Sequence, residues 1–138
     1  MTNTTAIALS DQDKTTLRIA AYGAVTLLAA AGAAGGKPHK IATNGSIALG
    51  SATGPVGHVL AVYPKGKELN GRSVAEIADR VLPALTAAMR LLTEQAPAEA
   101  GNFRGTVVTA IEAATQHSRP SPVMADMIRK ITNALDAA

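Results

Sequence analysis

IAAYGAVTLLAAAGAAGG, residues 19–36, and IATNGSIALGSATGPVGHVLAVY, residues 41–63, decide the fold of this chain. Only Lys37-Pro38-His39-Lys40 separates them. From Ile19 to Pro64 the only formal charges are Lys37 and Lys40, and eight of the chain's twelve glycines lie there. A helix that is apolar on every side has to be covered on every side. Two such helices are hard to hide in 138 residues, and this difficulty shapes the expected function.

Composition points to helices before any pattern is read. Aromatic residues are confined to Tyr22, Tyr63 and Phe103, whereas alanine is abundant. Strands favour β-branched and aromatic residues, while Ala and Leu favour helices. The length fits one domain over 1–138, large enough for a real core. With no cysteine, disulfides, thiolate metal sites and cysteine nucleophiles are excluded. The net charge of +3 is small and sits in the first half of the chain, short of a nucleic-acid footprint. MTNTTAIALSDQDK at the N-terminus lacks the basic start and apolar run of a signal peptide, so a cytoplasmic location is expected. The alanine bias is that of a GC-rich bacterial genome.

Working outward from the apolar stretch, residues 1–9 read as a flexible lead-in. Ser10 to Asp13 resembles a capping box and opens a first helix that should run to about Ala31. Gly32, Gly35 and Gly36 then offer the positive φ that ends helices. Residues 19–36 hold only four Leu, Ile or Val and no aromatic belt, so they read as a buried helix and not as a membrane span. The second helix should start near Pro38 and reach about Val62, with its continuity through Gly54-Pro55 left open. Its repeated glycines each cost about 1 kcal/mol relative to alanine, which close approach of a neighbouring helix would offset.

Ser73-Val74-Ala75-Glu76 reads as the capping box of a third helix reaching Gln95, with Pro83 on its polar face. Ala96-Pro97 breaks the chain before a fourth helix over 98–116, whose inward residues are Phe103, Val107, Ala110, Ile111 and Ala114. Ser121-Pro122 opens a fifth, with Met124, Met127, Ile131 and Leu135 facing the core. The expected architecture is a single-domain all-α bundle of about five helices.

The chemistry is sparse. Gly45 to Ser51 superficially resembles a phosphate loop, but position 51 is Ser where that loop needs Lys, and no strand precedes it. His39, His58 and His117 have no metal-ligand spacing, the carboxylates fall on polar faces, and G-x-S-x-G is absent. No catalytic residue, metal ligand or cofactor is assigned. The expected function is non-enzymatic association through segment 19–63, with a homodimer as first partner and neither nucleic acid nor membrane expected. Tyr22, Gly45, Ala48, Gly50, Ala52 and Gly54 are the interface candidates. The alternative is a small-ligand binder or enzyme with a pocket between the first two helices, using His58 and Tyr63. Lys37, His39 and Lys40 are candidates for contact with an anion.

Overall fold

The computed structural model describes residues 9–32, 38–64, 73–116 and 121–138. These residues form six helices and no strand: α1 (Asp11–Ala31), α2 (Pro38–Gly50), α3 (Gly54–Leu60), α4 (Val74–Gln95), α5 (Pro97–Thr115) and α6 (Pro122–Asp136). The expected second helix is thus two. The lead-in 1–8, Gly35 and Gly36 lie outside the described residues.

The reason for the split is local. Proline disfavours the helical conformation at the residue before it, and it has no N–H to continue the ladder. Gly54 accordingly takes φ +77, the only positive φ among the described residues. The last turn of α2 tightens, with Ser51 N–H on the Ile47 carbonyl at 3.0 Å and Ala52 N–H on the Leu49 carbonyl at 3.2 Å. The chain then turns so tightly that a Cβ on Gly57 would collide with the Ala52 carbonyl. Glycine at 54 and 57 lets the apolar segment make this turn.

α1 is the hub. It packs against all five other helices, and α2 also lies along α5 while α4 carries both α5 and α6. Leu17, Ala20, Ala21, Tyr22, Ala24, Val25, Leu27, Leu28 and Ala31 are buried around the full circumference of the helix. Its start is the expected capping box: Ser10 Oγ accepts from Asp13 N–H at 3.0 Å, and Asp13 Oδ2 accepts from Ser10 N–H at 3.4 Å. Its end differs from expectation. Gly32 has φ −88, and a Cβ there would stand 2.6 and 2.7 Å from the ends of the Ile41 and Met124 side chains, which would have to turn aside.

The remaining helices follow their patterns. Ser73 and Ser121 cap α4 and α6 by accepting from the N–H groups of Glu76 and Met124. Pro83 is exposed within α4, where the carbonyl it frees can meet water. Phe103, Val107, Ala110, Ile111 and Ala114 of α5 are all buried. The end of α6 is fixed twice: Thr86 Oγ1 donates to the Ala134 carbonyl at 2.7 Å, and Arg104 grips Asp136 with Nε at 2.8 Å. That hydrogen bond holds the Asp136 carboxyl below its ordinary range. No helix among the described residues is long and apolar enough to cross a membrane.

Candidate functional site

α2 and α5 run side by side and leave a groove between them on the outer face. Its larger hollow, about 440 Å³, lies between Ala48, Ser51, Ala52 and Thr53 on one side and Gly101, Asn102, Gly105, Thr106 and Thr109 on the other. A second hollow of about 250 Å³ continues past Ala48 to Asn44, Ile47, Ala113 and Gln116. Ser51 to Thr53 face the first half of α5, whereas Asn44 and Ile47 face its end, so the two helices are antiparallel. None of these lining residues carries a charge, although 17% of the chain is charged.

Two glycines keep one side of the groove open. Gly101 and Gly105 are exposed in α5, one turn apart, and a Cβ at either would meet nothing within 4 Å. Helix-interior glycine costs about 1 kcal/mol relative to alanine, and nothing among the described residues crowds a side chain at these positions. Further along the groove, at the second hollow, Ile47 of α2 has 62% of its surface exposed, the largest exposure of any large apolar side chain among the described residues. A protruding side chain and a hollow that could take one thus sit on the same face.

The candidates named from the sequence separate into inner and outer sets. Tyr22 and Gly45 are enclosed: Tyr22 is buried, and a Cβ on Gly45 would stand 2.7 Å from a Val25 methyl of α1. Ala48 and Ala52 are half-buried at the groove, and Gly50 and Gly54 are exposed. His58 is exposed on α3, and His39 and Lys40 are exposed in the first turn of α2. Lys37 lies outside the described residues. Gly101 and Gly105 were not among the candidates; their four-residue spacing is visible in the sequence, but the groove they line is not.

A second cluster is polar and surrounds α3. At the C-terminal end of that helix, Arg18 Nε donates to the Val59 carbonyl at 3.0 Å and Tyr22 Oη donates to the Leu60 carbonyl at 2.5 Å. Tyr63 sets its ring edge-on to Tyr22, with centroids 4.8 Å apart. At the N-terminal end, Glu99 Oε1 accepts from the Val56 N–H at 3.1 Å. Asn102 Nδ2 bridges the Thr53 carbonyl and Glu99, both at 3.2 Å. A short helix leaves most of its terminal N–H and C=O groups unsatisfied. Here α1 and α5 supply the partners.

Burial pushes the Tyr22 phenol above its ordinary value of 10.0, Tyr63 adds to the rise, and Arg18 opposes it. A folded pKa above the unfolded one contributes stability that is fully present below the unfolded pKa and lost as pH rises through the folded one. Denaturant midpoints measured across and above pH 10.0 should therefore fall. The Tyr22→Phe variant should show a flatter fall; an equally steep one would place the alkaline sensitivity elsewhere.

Among the described residues no group of three or more His, Asp or Glu side chains is placed to hold a metal ion. Comparison of the chain with protein-family models, with curated proteins and with solved structures returns no significant match.

Proposed function

We propose that this chain works by non-enzymatic association, with the α2–α5 groove as its contact face and a second copy of itself as the occupant. One observation carries the reading: a single uncharged groove bears exposed Ile47 at one hollow and the open glycines Gly101 and Gly105 at the other. In a two-fold pair the same patch must supply both halves of the fit. Ile47 of each copy would enter the glycine-lined hollow of the other, and the helices could approach closely because no Cβ intervenes. The absence of charge along the groove supports the choice of partner. Two copies that each carry +3 meet there without opposing like charges, and interface centres are typically depleted of charge.

The reading retains the expected association but moves its face. The apolar circumference of α1 is covered by the chain's own five other helices, so the surface at issue is shared by the outer side of α2 and by α5.

Native mass spectrometry and light scattering at micromolar concentration test the proposal. A dimer is expected for the unmodified chain. Ile47→Glu should weaken association by about tenfold or more, as the loss of a central anchor does. Gly105→Leu should also give monomers, with the fold intact because the space above Gly105 is open. A chain that stays monomeric at every concentration would overturn the proposal.

A further inference from the structure

α3 is seven residues long, and an isolated helix of that length does not hold itself in water. Its helical state depends on docking. Val56, Val59 and Leu60 are buried, while Arg18 and Tyr22 hold one end and Glu99 and Asn102 hold the other. Each of these contacts spans about forty residues of sequence or more. The bend at Gly54, with its positive φ, supplies a hinge at the near end. Thr53, Gly54 and His58 are exposed on the outer side, so the apolar anchorage is one-sided.

We infer that α3 is a strap that undocks from α1 and α5 as one unit, well below the free energy of global unfolding. Losing the dock removes the reason for the helix, so partial release is not a stable alternative. Release uncovers the buried side of α3 together with the apolar side chains beneath it on α1 and α5. It also frees two donors that now end on α3 carbonyls, the Arg18 guanidinium and the Tyr22 hydroxyl. The strap's own C-terminal carbonyls thus occupy the polar end of the cleft that its opening would create. Short segments with few anchoring contacts are where proteins open first.

Amide hydrogen exchange followed by NMR on the full chain tests this. Amides from Gly57 to Ala61 should exchange through one common opening, at least tenfold faster relative to their intrinsic rates than those of Leu27 and Leu28 in α1. Tyr22→Phe at one end and Glu99→Ala at the other should each accelerate all five amides together by about three- to tenfold, the effect of one lost hydrogen bond. Ile131 in α6 should be unaffected. If Tyr22→Phe accelerates only the Ala61 end, or Glu99→Ala only the Gly57 end, the strap does not move as a unit and the inference falls. Should either variant fail to fold, the unmodified chain decides alone. A common rate above that of α1 sustains the inference, and protection equal to that of α1 overturns it.

Discussion

Replacing Phe103 with alanine is expected to lower the free energy of unfolding by about 3–5 kcal/mol. Phe103 is completely buried and is the chain's only phenylalanine. The size of the effect depends on how far the neighbours can collapse into the space left. Collapse is limited because much of the core is alanine: Ala20, Ala21, Ala24, Ala88, Ala100, Ala110 and Ala114 are all buried. Alanine has no rotamer to swing inward, so the cavity should persist. Small domains are stable by about 5–15 kcal/mol in total, so this one change removes a large share. Urea unfolding gives the number, and Phe103→Leu should recover most of it. A loss below about 1 kcal/mol, the ordinary size for a point substitution, would mean that the ring is not enclosed as described.

The second large effect separates two glycines of the same helix. Gly45→Leu is expected to destabilise by about 1–3 kcal/mol or more, the range for overpacking. A Cβ at Gly45 would stand 2.7 and 2.8 Å from the two methyls of Val25 and 3.3 Å from Ala114 Cβ. Val25 is stiff at χ1 and belongs to the hub, so relief requires α2 to move away from α1. Even Gly45→Ala should therefore destabilise. Gly50→Ala should have the opposite sign, because a Cβ there meets nothing within 4 Å and the substitution restricts the unfolded chain. A gain of about 0.4–1 kcal/mol is expected. Thermal melts of the three variants settle the matter; equal behaviour at 45 and 50 would mean that α2 does not dock on α1 through its small face.

Most of the fold could be read from the sequence where capping and periodicity agreed. Ser10, Ser73 and Ser121 each start a helix as expected, and the inward residues of α5 and α6 were visible as rows spaced by three and four. The count of about five became six because Gly54-Pro55 allowed either a kink or a break. Local chemistry alone does not choose between them. The choice rests on Glu99 and Asn102 meeting Thr53 and Val56 from more than forty residues away. The demand for cover on every side holds for α1, which five helices surround, but not for α2, which buries Ile41, Gly45 and Leu49 and leaves Thr43, Ile47 and Gly50 exposed. The groove was hidden because Ile47 and Gly105 share one surface only when α2 lies along α5, and spacing within either helix says nothing about that.

The hub position of α1 has a consequence during synthesis. α1 is made before every helix that covers it, and its last cover, α6, ends at Asp136. The 105 residues from Gly32 to Asp136 take about 5–20 s to add at ordinary ribosomal speeds. For that interval a 21-residue helix whose buried residues surround its axis has no complete partner. α2 and α3 emerge first but cover only part of it, and α4, which lies against it most extensively, follows later. Nascent chains halted before α4 should therefore be held by chaperones that grip apolar segments, and chains released after α6 should not. The arrangement that makes α1 the best-protected helix of the finished molecule makes it the most exposed one on the ribosome.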